Sequence, residues 1–473
     1  MPTTPDEWLP ILAKRLDDRF IESKRDDAYP GITRLRRYAH GKPDLPEMGK
    51  NLRASWEKFQ KKARRNYGGL AVGSLADRCA FNGIRIGTSD DSPTIVAARR
   101  ILRDNRADTQ FAEAILDMLE TRWGYLLVGR SDDGHAVITR EKPEQFIAAT
   151  DPLRPWKALA CLKVWRDDSA AQDYARVWVA GAAAVFHRST RNHSGNTRIG
   201  ASGEGWEPLG EPEVYDGEPP VVILERDQAF LEPHLDLIDA IVLGKLNRLV
   251  ITAMQAFRQR ALRRKEGQSG DFDTDEDGNE VDLRKVFEPA PGALWDLPEG
   301  IDIWESQTTD IQPLVSGETQ DAKDFAAQTR TPVSVLIPDG ANQSAEGAST
   351  GKEGQVAEAK AITRQISPAL AVLVVYALRV EDVDLGDDTV EILWIPPEHV
   401  SLSEKYAAAA AAKGVGLSAR TIKRDILGMS PDQIRQDEAD LASDQLAAAL
   451  LTIGQQQAPQ PAQANGRPDA GAA

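Results

Sequence analysis

Cysteine is nearly absent: Cys79 and Cys161 are the only two in 473 residues, too few for a disulfide framework or a thiolate metal site. Histidine is almost as sparse. His40, His135, His187, His193, His234 and His399 are scattered, and no two stand four apart as a helical metal site requires. His187 and His193 fall in a polar stretch and read as solvated side chains. There is no Gly-x-Ser-x-Gly elbow, and neither cysteine sits in a nucleophile motif, so no catalytic signature is legible. Basic residues are outnumbered, 57 Lys and Arg against 73 Asp and Glu, a formal charge of −16. Such a chain is unsuited to a tight grip on nucleic acid, which needs clustered cations; any DNA contact should be loose. Long apolar runs are missing too. The longest, around Ala369 to Leu378, is half the roughly 20 residues that cross a bilayer, so no membrane span is expected. The opening "MPTTPDEWLP" lacks a charged-then-apolar signal, which leads to the expectation of a reduced, intracellular site of synthesis.

Two stretches approach known motifs and fail on spacing. "EGASTGKEGQ", Glu346 to Gln355, nearly spells a phosphate-binding P-loop. Only three residues separate Gly347 from Gly351, and Glu353 stands where a magnesium-binding hydroxyl belongs. "GDFDTDEDGNEVD" matches the first half of a calcium loop at Asp273, Asp275, Asp277 and Gly278. Its twelfth position is Arg284, where a bidentate carboxylate should complete the shell. A solvated acidic tip is the better reading, and no metal or cofactor is expected. An intracellular enzyme with an unrecognised site and a calcium-binding interaction protein are the competing functional readings.

What is present is architecture, and the expected fold class is α+β. The start reads as a helix with Trp8, Leu12, Leu16 and Phe20 spaced by four, closed by Pro30 and Gly31. A mixed body follows, with helices expected over "GGLAVGSLADRCAFNGIRI" and "TQFAEAILDMLETRWG". "YLLVGRSDDGHAVITR" is a hairpin turning at Asp132 to Gly134, and strands are expected in "ALACLKVWRD", "YARVWVAG" and "PPVVILER". Glu232 to Lys265 lacks a breaker after Pro233 except Gly244 and reads as one long helix. Its end is basic, with Arg258, Arg260, Arg263, Arg264 and Lys265, either a dipole-matched terminus or a functional belt. Its stripe Leu235, Ile238, Val242, Leu246, Leu249 and Phe257 is either buried within the chain or left for a neighbouring copy. A small strand-containing module comes next, then a short helix and a polar loop of Gly, Ser, Asn and Ala. A second long helix is kinked at Pro368, a strand ends at Pro396 and Pro397, and a helical C-terminus is punctuated at Gly414 and Gly428. The last twenty residues are low-complexity and expected to be disordered.

This order resembles the portal proteins of tailed bacteriophages, in the Gp6-like branch. "AYPGITRLRRYAHGKPDLPE", "NYGGLAVGSLADRCAFNGIRI", "YLLVGRSDDGHAVITREKPEQF", "LWDLPEGIDIWESQ" and "AAKGVGLSARTIKRDILGMSPDQI" carry the likeness over nearly the whole chain. The resemblance implies a helical arm at 1–44, an α+β wing at 45–231, a first stem helix at 232–265 and a clip at 266–316. A second stem helix at 317–331, a tunnel loop region at 332–354, a kinked long helix at 355–380 and a returning wing strand at 381–400 follow. A helical crown at 401–453 and a tail at 454–473 close the chain. It also implies a virion ring, expected to have twelve subunits, with no enzymatic activity. Double-stranded DNA would pass through it without sequence specificity, past Asn342, Gln343, Ser344, Ser349 and Lys352. The implied partners are the terminase large subunit, head-tail adaptors and the major capsid or scaffolding protein. Two features depart from the family pattern, the acidic segment Asp271 to Asp282 and a crown expected to end in a disordered tail rather than long helices.

Overall fold

A computed structural model describes all residues except 1, 24, 26–27, 47–56, 58–59, 88–91, 191–197, 257–259, 265–300, 306–309, 338–351, 399–401 and 457–473. The chain divides into two compact units, one of residues 1–40, 68–234 and 326–473, the other of 41–67 and 235–325.

The first unit is built on period-2 alternation. Strands β4 (Phe146–Asp151), β5 (Arg154–Asp167), β6 (Gln172–Val179) and β7 (Ala182–Ser189) form an antiparallel meander, with the short β8 (Glu207–Pro208) and β9 (Glu213–Val214) both pairing β7. Ile147, Leu162, Val177 and Phe186 face one side and meet helix α1 (Pro5–Asp18) through Trp8, Leu9, Leu12 and Leu16. Phe146, Cys161 and Trp178 face the other side and meet Tyr125, Leu127 and Val221 of a second antiparallel sheet. That sheet has the order β10 (Val221–Glu225), β2 (Trp123–Arg130), β3 (Ala136–Glu141). The first helix is therefore a core element rather than a separate arm, and it stops at Asp18, with α2 (Ile32–Ala39) following the turn at Gly31, φ +91°.

Helices α3 (Tyr67–Ala76), α4 (Pro93–Asp104), α5 (Ala107–Thr121) and α8 (Glu353–Val380) belong to the body. β1 (Phe81–Ile86) pairs antiparallel with β13 (Val390–Trp394), closing a loop of about three hundred residues. The helical reading of "AFNGIRI" is thus corrected: Cys79 lies just beyond a helix that ends at Ala76, and β1 is a strand because β13 supplies its ladder. The hairpin at Asp132 to Gly134 and the strands at β5, β6, β10 and β13 stand where the alternation puts them. After β13 come α9 (Leu402–Gly414) and α10 (Pro431–Gln456).

Several buried carboxylates are paired with arginine. Asp117, 1% exposed, accepts from Arg36 and from Arg140, whose Nη2 lies 2.6 Å away, while Arg36 Nε donates to Glu144 at 2.7 Å. Burial raises the Glu144 carboxyl, and the Arg36 guanidinium outweighs it, so the group lies below its ordinary value. Asp173 is lowered in the same way, burial being overcome by Arg166 and Arg188, and Glu381 by the Ala136 amide and Arg100. A carboxyl depressed in the fold contributes stability above its unfolded pKa and loses it as pH falls through the folded one. The urea midpoint of unfolding should therefore drop between about pH 5 and about pH 3, and Glu144→Gln should make the drop shallower. A flat profile over that range would contradict the role given to these pairs.

Candidate functional site

In the second unit, α6 (Leu235–Ala256) and α7 (Gln312–Gln328) run antiparallel, because Lys245 and Arg248 of α6 both meet Glu318 of α7 while Gly244, earlier on α6, lies opposite the later Asp321. Lys245 Nζ is 3.3 Å from Glu318 Oε2, and Arg248 Nε donates to Oε1. A Cβ added at Gly244 would sit 3.7 Å from Asp321 Oδ2, in ordinary contact. Val242 and Leu246 are buried with Ala63 beside half-buried Leu249 and Val250, and buried Phe325 stacks on Tyr67 at 6.4 Å. Asp310 Oδ1 accepts from the Gln312 amide at 2.9 Å, which supports the start of α7.

Leu235, Ile238, Val242 and Leu246 are all buried within the single chain, so the stripe does not wait for a neighbouring copy to cover it. Leu249 is half-buried, and Phe257 lies outside the described residues. The face that α6 leaves outward is Asp236, Ala240, Leu243 and Asn247, with Leu243 46% exposed. This set at spacings of four, three and four was legible, but a search for a continuous apolar stripe passes over it.

The long helix is shorter than expected. It ends at Ala256, and Arg260, Arg263 and Arg264 stand on strand β11 (Arg260–Arg264), paired antiparallel with β12 (Ile301–Glu305). Arg260 is opposite Glu305 and Arg263 opposite Asp302 in the register. Arg258 and Lys265 lie outside the described residues, as do Asn342, Gln343, Ser344, Ser349 and the acidic segment Asp271 to Asp282.

Of the five residues expected to line the channel, Lys352 is the one described; it occupies the N-cap of α8 and is half-buried. Pro368 lies inside α8, which runs unbroken from Glu353 to Val380. Proline has no amide to donate to the Arg364 carbonyl. Beside it, Ser367 Oγ donates to the Thr363 carbonyl at 2.5 Å and accepts from Trp394 Nε1 at 2.9 Å. α8 is also long and apolar enough to cross a bilayer, but its Ile366, Leu370, Leu373 and Val374 are buried in the body.

A polar cluster that no sequence pattern announces lies where the chain leaves the body and where it returns. Arg226 Nη2 lies 2.9 Å from Glu358 Oε1, and Arg330 Nη1 lies 3.3 Å from Glu358 Oε2. Arg122 Nε donates to Glu232 at 2.8 Å. Arg226, Arg330, Glu358 and His234 line a cavity of about 150 Å³, and burial pushes the His234 imidazole below the usual value. Arg226 is 132 positions from Glu358 and Arg122 is 110 from Glu232, so no local motif could have joined these pairs.

Both thiols are inert by environment: burial raises Cys79 to about 12 and Cys161 well above the ordinary thiol value. A chromogenic disulfide reagent should label neither in the native protein and both after denaturation. Rapid native labelling would overturn the packing described here. Among the described residues, no group of three His, Cys, Asp or Glu side chains is placed to hold a metal.

The described residues thus comprise a mixed α+β body, an antiparallel helix pair and a β ladder lying between those helices in sequence. The family model for phage portal proteins of the SPP1 Gp6-like type matches residues 18–445, and the chain belongs to this family. Its function is accordingly that of a portal protein, which forms the channel at a capsid vertex. Among solved structures it is similar to a chain of the virion of the native gene transfer agent (GTA) particle, with 13% identity and a TM-score of 0.40. It is also similar to chains of the neck of the native GTA particle computed with C12 symmetry and the neck of the empty particle computed with C6 symmetry. Each is 13% identical, with TM-scores of 0.45 and 0.41. All three likenesses cover 85% of this chain and 100% of the other. At such scores they carry none of the assignment, which rests on the family match. No curated protein matches.

Proposed function

We propose that copies of this chain close into a ring, twelve by expectation, around a channel that conducts double-stranded DNA without reading its sequence. The family match across residues 18–445 carries this reading. In it, the sheet-built body is the wing, α6 and α7 are the stem helices, and residues 257–311 with the β11–β12 ladder are the clip. Residues 332–352 are the tunnel loop, α8 is the long helix behind it, and α9 onward is the crown. Neighbouring subunits would meet along the outward face of α6 at Ala240, Leu243 and Asn247 rather than along its buried stripe. The clip is the place for the terminase large subunit and head-tail adaptors, and the wing for the capsid or scaffolding protein. The acidic balance suits a conduit, since tight phosphate contacts would stall a moving duplex. The family is a structural one, and we assign the chain no chemical step.

Native mass spectrometry with negative-stain imaging tests this. A closed ring of about a dozen copies with a central hole is expected. A protein that stays monomeric at high concentration would contradict it.

A further inference from the structure

We propose that the outer part of α10 packs side by side against the α10 of each neighbouring copy, giving the subunits a second contact, a circle of helices, apart from the one at α6. This rests on the ring reading. α10 is one helix of 26 residues from Pro431 to Gln456, where the sequence led to the expectation of a crown without long helices. Its first turns are fastened: Ile434 is buried, Arg420 Nη2 lies 2.7 Å from Glu438 Oε2, and Lys423 pairs with Asp437. From Ala439 to Leu450 every residue is exposed, so this stretch touches nothing on any side that would cover it. A solitary helix is marginal in water, because helices in proteins are held mostly by an apolar face packed on another element.

The exposed part carries such a face. Ala439, Ala442, Leu446 and Ala449 follow at spacings of three, four and three with Leu450 beside them, and Leu446 and Leu450 are 64% and 60% exposed. Among the described residues, seven of the eighteen exposed large hydrophobic side chains lie between Leu402 and Leu450. Exposed apolar surface is thus gathered at this end of the chain, as it is where proteins meet a partner. Alternating steps of three and four make the 3.5-residue repeat that fits a second helix running alongside, and alanine lets the two backbones come close.

The chemistry of the face selects a copy of the same helix. From Leu441 to Gln456 the only charged residue is Asp444, which offers nothing to a phosphate backbone and little to a protein recognised by charge. In a ring generated by rotation, neighbouring copies of α10 are parallel and level, carry the same repeat, and each needs two faces, one for either neighbour. Leu441 and Ala448, seven apart, supply the second face. At about 100° per residue Ala448 stands roughly 160° round the helix from Leu446, near the angle of about 150° between neighbours in a ring of twelve. The strip from Ala439 to Gln456 is about 27 Å long and about 10 Å wide, far short of the roughly 1,200 Å² that a stable interface between free proteins needs. It therefore joins copies that α6 has already set side by side.

Leu446→Cys and Ala448→Cys test this, made together and singly in the full-length protein and treated with a short bis-maleimide, with native mass taken before the reaction. Cys79 and Cys161 are buried and stay out of the chemistry. The double variant should give a ladder of bands on a denaturing gel up to the full ring, while each single variant stays monomeric, because the Leu446 face of one copy meets the Ala448 face of the next. Dimers from either single variant would mean that like faces meet and would overturn the arrangement. Rings of the double variant that do not cross-link would overturn the helix circle and leave the ring reading standing; monomers in the native mass, in the parent as well, would remove both. Hydrogen exchange gives a second readout: amides at 439–456 should exchange at least about tenfold faster in Leu446→Asp than in the parent ring, and equal rates would contradict the contact.

Discussion

Replacing Asp117 by Asn is expected to destabilise the body by about 4 kcal/mol, the range found when one member of a buried ionic network is removed. Asp117 is 1% exposed and sits between two guanidiniums, Arg36 and Arg140. Burial works against both cations. Glu144 and Asp117 overcome it at Arg36, and Asp117 does so at Arg140, so both are held above their ordinary values. Asn keeps the shape and removes the charge, and its amide donors would face donors. The cost comes from two cations left without their central anion in a low-dielectric setting rather than from lost packing. Urea denaturation followed by tryptophan fluorescence and far-UV circular dichroism measures it. A loss under about 1 kcal/mol, the scale of an exposed pair, would mean that water reaches the network.

Glu318→Gln is expected to loosen the helix pair. Glu318 is the shared acceptor for Lys245 and Arg248, and Lys245 is only 8% exposed. Removing that charge leaves a buried ammonium unpaired, at a cost of about 3 kcal/mol. Global unfolding of a two-unit chain would blur this, so hydrogen exchange read on peptides from 235–256 and 312–328 is the suitable measurement. Protection there should fall roughly a hundredfold, with little change in β4 to β7. Unchanged protection would show that Val242, Leu246 and Phe325 hold the pair without the ion pairs. Under the portal reading the same variant also forms fewer rings, because the outward face of α6 is then poorly fixed.

How much could be read beforehand depended on how local the determining contacts are. The β2–β3 hairpin was legible because alternation and the turn at Asp132 to Gly134 lie in one short segment, and Phe146/Ile147 and Cys161/Leu162 show the same alternation across the sheet. α8 was legible from its spacing of Ile362, Ile366, Leu370 and Leu373. β1 was not, since "FNGIRI" follows a helix directly and its ladder comes from β13, some three hundred residues later. The helix ending at Ala256 was overextended because Ala261 and Leu262 continue a helical pattern, while pairing with Ile301–Glu305 is a distant contact. The α6 stripe is legible as apolar, but periodicity does not say which surface covers it.

The central claim is that α6 and α7 form the wall of a channel in a ring of these subunits. Cryo-electron microscopy of the assembled protein tests it most directly. Residues 235–256 and 312–328 from every copy should surround a central opening wide enough for a duplex, with Leu243 at the contact between neighbours. A ring in which those helices lie at the outer rim, or particles with no opening, would contradict it.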